Sequence, residues 1–262
     1  NYNHIGDMFR NQYDTDVTVW SPQGRLHQVE YALEAVNQGT VCLGLRSSTH
    51  VVIAGLKRSP NELASYQKKI QKIDNHMGVA MSGLTADGRS LVKYMRTEAL
   101  NHKYVYGTPM QANRIVLDLA DMHQRCTQSY VRRPYGVGLM VAAYDQTGPH
   151  LFTTEPSGNY FEYNAMAIGS RSQTSRTYLE KEFESFNDCS LDDLIKHALK
   201  GLAASLSGDT ELDSQSASIA FVGKDCPFTS LDGPPLQPYL DQIEVDADGD
   251  VDTDMVLENP EA

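Results

Sequence analysis

With 262 residues and 40% hydrophobic content, the chain is long enough to bury one sizeable core, and a single α/β or α+β domain is expected. Twenty-two basic residues against 34 acidic ones give a formal net charge of -12, which argues against a nucleic-acid footprint or an anionic membrane surface. No apolar run approaches about eighteen residues and there is no secretory leader pattern, so neither a membrane span nor secretion is indicated, and a cytoplasmic and nuclear location is expected.

The charge is uneven. Residues 239–262 hold nine Asp or Glu and no Lys or Arg, so this stretch reads as an acidic disordered tail on a mildly acidic body. Cys42, Cys126, Cys189 and Cys226 are widely spaced and form no Cys-x-x-Cys pair, which predicts buried, reduced thiols. Met8 reads as a plausible natural start, leaving Asn1 to Asp7 as an extension of either native or artificial origin.

In chain order, Ser21-Pro22-Gln23-Gly24 predicts a turn, because proline fixes its own φ and glycine accepts a tight reversal. Leu26, Val29, Leu33 and Val36 then recur at helical spacing, with Ala32 and Ala35 widening the stripe and Gly39 beyond the end. A helix this short is marginal alone, so its apolar face must rest on other structure. Thr40 to Leu45 and His50 to Leu56 read as a hairpin, and Met77 to Ser82, after Ile70 and Ile73 set among lysines, as a third strand. Thr85 is placed to cap a helix with Asp87 in its first turn and Leu91, Met95 and Ala99 on one face. A second helix after Pro109 shows Ala112, Ile115, Val116, Leu119, Met122 and Cys126. Strands follow over 136–144, 150–154, 160–163 and 165–168, then helices over 172–186 and 190–206, and a final strand over 216–223. Helices segregated from strands in this order imply a layered α+β domain.

No motif of catalysis or cofactor binding is complete. Gly136-Val137-Gly138 lacks the third glycine of a dinucleotide loop, and Gly169-Ser170-Arg171-Ser172 lacks the second glycine of a nucleophile elbow. The histidines show no ligand spacing, and the tail's Glu244-x-Asp246-x-Asp248-Gly249 carries Met255 where a calcium loop needs a glutamate. No metal or cofactor is expected.

Specific identity comes from resemblance. Ser21-Pro22-x-Gly24-Arg25-Leu26-x-Gln28-Val29-Glu30-Tyr31-Ala32, with Tyr13-Asp14 upstream, resembles the N-terminal signature of proteasome alpha subunits. The likeness continues through Gln67-Lys68-Lys69-Ile70, Ser82-Gly83-Leu84, Arg133 to Gly138, Ile168-Gly169, Tyr178-Leu179-Glu180 and Ile219 to Asp225, covering about Phe9 to Pro227. The opening Met8 to Asp14 is similar to one eukaryotic branch of the family, at the sixth position of the alpha ring.

That resemblance implies a four-layer α-β-β-α sandwich of the N-terminal nucleophile hydrolase type, with an added N-terminal helix. It implies a flexible gate segment over 1–12, a sandwich domain over 13–238 and the tail over 239–262. Catalytic relatives expose an N-terminal threonine whose amine is the base, supported by an acid and a lysine. Here Thr40 is internal, Leu56 aligns with the acid and Lys69 alone matches, so a non-catalytic subunit is implied rather than the alternative, an active threonine peptidase. The implied role is structural and gating, within a heptameric ring of alpha subunits that meets an inner ring of beta subunits and receives regulatory ATPases or other activators. Tyr13, Asp14, Pro22 and Tyr31 match the gate contacts between subunits; Lys69, Gly83 and Leu26 match the pocket for activator C-termini. Thr15 departs from the arginine of many members, which removes any salt bridge that arginine would make.

Overall fold

The computed structural model describes residues 12–59, 63–206 and 212–249; of the expected gate segment, only Gln12 falls among them. Helix α1 (His27–Asn37) leads into β1 (Cys42–Arg46) and β2 (His50–Leu56), then β3 (Ile70–Asp74) and β4 (Met77–Gly83). Helices α2 (Thr85–Tyr106) and α3 (Ala112–Thr127) precede β5 (Val137–Asp145), β6 (Gly148–Thr154), β7 (Tyr160–Glu162) and β8 (Ala165–Ile168). Helices α4 (Ser172–Glu182) and α5 (Leu191–Ala203), strands β9 (Ala217–Gly223) and β10 (Cys226–Asp232), and helix α6 (Gln237–Gly249) follow.

The strands form two five-stranded antiparallel sheets, ordered β10-β9-β2-β1-β8 and β3-β4-β5-β6-β7. The two-residue period of each strand sorts its side chains between two cores. In β5, Leu139, Val141 and Ala143 meet α2 and α3, while Met140 and Ala142 enter the space between the sheets. In β2, Val52 and Ala54 meet the α5 side, while Val51 and Ile53 face inward. Helices on both outer faces make the arrangement α-β-β-α. Both sheets are buried on two faces, so their central strands read as continuous apolar runs rather than alternating ones.

Close sheet packing depends on glycine at Gly78, where an added Cβ would lie 2.0 Å from the Phe228 ring of β10. Phe228 is the buried residue of an edge strand whose other apolar side chains, among them Pro227 and Leu231, stay exposed or half-buried, which explains why β10 carries no strand signal in the sequence. Strand β3 is hidden for a related reason. Ile70 enters the inter-sheet core and Ile73 the helix-side core, each alone on its face.

Several expectations are corrected by the packing. The acidic tail does not begin as disorder at Tyr239: the backbone is helical to Gly249, and Leu240 is buried with Tyr239 and Ile243 packed beside it on the α5-side core. Those three apolar residues fix the start of the segment in spite of its charge. The calcium-like Glu244 to Gly249 run is therefore the end of a helix, not a loop. Thr85 is the first residue of α2 rather than its cap, and Ser190 does cap α5, its hydroxyl accepting the Asp193 amide at 3.2 Å. Cys42 and Cys126 are buried, but Cys189 and Cys226 are partly exposed; all four are free thiols.

One buried group is poorly matched to its surroundings. His123 on α3 is fully buried, with neither ring nitrogen hydrogen-bonded among the described residues. It stands edge-on to Tyr135, and burial lowers its pKa to about 4 against an opposing pull from Asp87. Below its unfolded pKa of about 6.5, the unfolded chain binds a proton that the folded chain refuses until about pH 4, so stability falls with pH across that window. Urea titrations at pH 7.5 and pH 5 should show about 2 kcal/mol less of this acid loss in His123→Phe than in the unaltered chain.

Candidate functional site

The expected residues fall into two sets, one at the start of α1 and one at its end. At the start, Ser21 and Gly24 close the predicted turn: the Gly24 amide donates to the Ser21 carbonyl at 2.9 Å, with Gly24 at φ 75°. The Arg25 amide returns to the Ser21 hydroxyl at 3.1 Å. The Arg25 guanidinium then clamps Glu30 with two bonds of 2.5 and 2.8 Å. That clamp holds the Glu30 carboxyl below its usual range.

Asp14 is brought onto α1 within the chain itself. Its carboxylate accepts the Tyr31 hydroxyl at 3.0 Å, and its backbone carbonyl accepts the Gln28 side-chain amide. Tyr13 is half-buried and Pro22 exposed on the turn, and neither joins this pair by a hydrogen bond among the described residues. Gln28 is a site residue that sequence reasoning passes over, although it lies in the signature one helical turn before Tyr31, where i and i+3 share a face. Thr15 is exposed beside the pair.

The second set surrounds the junction of α1 with β1. Lys69 is only 8% exposed, and its ammonium donates to the Thr40 carbonyl at 2.6 Å and lies 3.7 Å from the Cys42 sulfur. The Ser82 hydroxyl reaches both the Val36 carbonyl at 3.0 Å and the Thr40 carbonyl at 3.1 Å. Burial pushes the Cys42 thiol pKa up, with Lys69 pulling the other way, so this sulfur is a weak hydrogen-bond donor, given to the Met81 carbonyl at 3.2 Å.

The chemistry open to this cluster is narrow. The Thr40 nitrogen is joined to Gly39, so it is a peptide amide and cannot act as a base. The Thr40 hydroxyl is buried without a hydrogen-bond partner among the described residues. Leu56, whose amide donates to the neighbouring Val41 carbonyl at 3.0 Å, packs an aliphatic side chain against the α5-side core. The chain just beyond α1 is packed tightly: an added Cβ on Gly39 would lie 2.2 Å from the Gly83 nitrogen, and the Ser170 amide donates to the Gly39 carbonyl at 2.7 Å.

Of the three expected pocket residues, Lys69 and Gly83 lie about this junction. Leu26 stands at the N-terminal end of α1, about 16 Å along an eleven-residue helix from its last residue. Among the described residues no group of three or more His, Cys, Asp or Glu is placed to hold a metal ion.

Comparison with known proteins fits this architecture. Residues 36–222 match the family model described as proteasome subunit, and residues 13–35 match the model of the N-terminal signature of A-type proteasome subunits. The chain belongs to the proteasome subunit family, alpha type. It is 52% identical over 238 residues to proteasome subunit alpha type-1 of Dictyostelium discoideum, covering 90% of this chain and 96% of that one. It is 49% identical to the probable proteasome subunit alpha type-6 of Schizosaccharomyces pombe, covering 90% and 87% respectively. With proteasome subunit alpha type-1 of Trypanosoma brucei rhodesiense it shares 46% identity over 97% of this chain and 98% of the other. As a proteasome alpha subunit it assembles with other proteasome subunits. No helix among the described residues is long and apolar enough to cross a membrane.

The contact of Gly39 with Gly83 is backbone against backbone, with no flexible side chain to yield. Gly39→Ala should therefore cost about 3 kcal/mol in a urea titration and increase proteolytic cleavage within α1 under native conditions, whereas Gly107→Ala, where an added Cβ meets nothing within 4 Å, should leave α1 protected.

Proposed function

We propose that this chain is a non-catalytic structural and gating subunit of the outer ring of the 20S proteasome, serving ubiquitin-dependent protein degradation. The observation that carries the reading is the fold of residues 13–35, the alpha-type signature: its turn opens helix α1, Asp14 is bonded to Tyr31 on that helix, and the chain leaving the helix passes directly against Gly83 before Thr40. The same segment also presents Trp20, Tyr31 and Leu33 at the surface, apolar area suited to a neighbouring subunit.

In this reading the partners are the other alpha subunits of a heptameric ring, the beta subunits of the inner ring, and regulatory ATPases or other activators, in the cytoplasm and nucleus. Tyr13, Asp14, Pro22 and Tyr31 hold the gate segment. The hydroxyl of Tyr31 on Asp14 is a small, directional contact of the kind that biases a two-state tail. Lys69 and Gly83 on one chain would join Leu26 of a neighbour to take an activator's terminal carboxylate. The Lys69 ammonium has three donors and gives one to the Thr40 carbonyl and one to the Cys42 sulfur, so one remains for that carboxylate.

Two experiments test the reading. The free chain should hydrolyse no fluorogenic peptide above background; hydrolysis abolished by Thr40→Ala would overturn the non-catalytic assignment. In reconstituted core particles, Tyr31→Phe should assemble normally and reduce activator-stimulated peptide entry by about two- to tenfold, the worth of one hydrogen bond of about 0.5–1.5 kcal/mol. Stimulation equal to that of the unaltered particle would remove the Asp14 and Tyr31 pair from the gate.

A further inference from the structure

A cleft of about 490 Å³ opens between the α2–α3 connection and the β5–β6 turn, and the proposed function uses none of it. It lies at the end of β4 and β5 where Met77 pairs with Ala143, whereas the Thr40 cluster adjoins the opposite end, where Gly83 pairs with Val137. At about 3.4 Å per residue, some 20 Å of strand separates them.

The lining is aromatic and rigidly held. The rings of His102 and Tyr106 lie 4.6 Å apart at 42°, and Tyr144 also borders the space. The His102 Nδ1 sits 3.1 Å from the Thr108 carbonyl and the His76 Nε2 sits 2.7 Å from the Met110 carbonyl. A carbonyl can only accept, so both nitrogens carry protons and both rings are pinned to the connecting loop.

The charges are unequally committed. The Asp145 carboxylate is occupied, accepting the Ala112 amide at 3.2 Å, the Thr147 amide at 2.8 Å and the Thr147 hydroxyl at 2.5 Å, with the His150 Nε2 at 3.2 Å. Those bonds hold its pKa below the usual range in spite of burial. Arg114 has no carboxylate partner among the described residues; its guanidinium carbon stands 5.9 Å from the centre of the Tyr106 ring. The cleft therefore joins flat aromatic walls to one uncommitted cation.

We propose that this cleft binds a small planar aromatic acid, its ring against Tyr106 and His102 and its carboxylate paired with Arg114. The volume lies within the range of small-molecule sites, and a planar guanidinium favours a carboxylate through paired hydrogen bonds. A cationic ligand would meet Arg114 with like charge and find the Asp145 oxygens taken. A wholly apolar ligand would strip water from the guanidinium and give nothing back.

Saturation-transfer NMR with phenylacetate on the full-length chain, and on core particles containing it, tests the assignment. Phenylacetate should bind in both settings and phenylacetamide, its uncharged counterpart, should bind at least about tenfold more weakly. Arg114→Gln, on an exposed helix position that leaves the fold intact, and Tyr106→Ala should each weaken phenylacetate about tenfold. A peptide ending in free tyrosine separates two sources: its binding extends the site to peptide C-termini, and its exclusion confines the site to free aromatic acids. Absence of phenylacetate binding, equal binding of the amide, binding unaltered in Arg114→Gln, or binding to the free chain that disappears in particles would each overturn the proposal.

Discussion

Everything at the functional end of this protein depends on one close approach of backbone to backbone. Gly39 meets Gly83 with no space for a single added carbon, and this lets the chain leaving α1 pass directly against the end of β4, an interior strand of the second sheet. From that point the chain turns at Thr40 into the first sheet. The Thr40 carbonyl gathers the Lys69 ammonium and the Ser82 hydroxyl, so the two sheets and the helix are tied at one peptide group. A buried lysine is costly unless it is hydrogen-bonded, and here the carbonyl supplies the partner.

The same junction fixes how the lysine is used in this chain. The lysine is present, but it faces a carbonyl rather than a free amine, and Leu56 contributes only packing. Helix α1 is not held by its whole apolar stripe. Only His27 and Val36 of α1 are fully buried, and Leu33, expected on the buried face, is exposed. Its amphipathic pattern thus serves two surfaces, one inside the chain and one available to a neighbouring subunit.

Much of the fold is legible in the sequence because the central strands and the long helices carry strong, regular patterns. Strands β1, β2, β4 and β5 are dense in small and branched apolar residues, and α3 shows its buried face at ideal spacing. What escapes is structure whose apolar content is divided between faces or reduced to one residue. Ile70 and Ile73 belong to two different cores, and β10 is held chiefly by Phe228. Helix α6 is concealed by charge, since the few residues that dock it, Tyr239, Leu240 and Ile243, are diluted among carboxylates.

The site divides in the same way. The sequence by itself determined that Thr40 follows Gly39 within the chain, that Leu56 is aliphatic, and that residues 13–35 carry the alpha-type signature; these are matters of covalent order and residue identity. Only the tertiary structure decided that Lys69 turns inward to the Thr40 carbonyl, that Leu26 stands a helix length away from it, and that Gln28 secures Asp14 beside Tyr31. Those outcomes depend on side-chain direction and on contacts between residues tens of positions apart. No local periodicity encodes such contacts, because they exist only once the two sheets and α1 have packed.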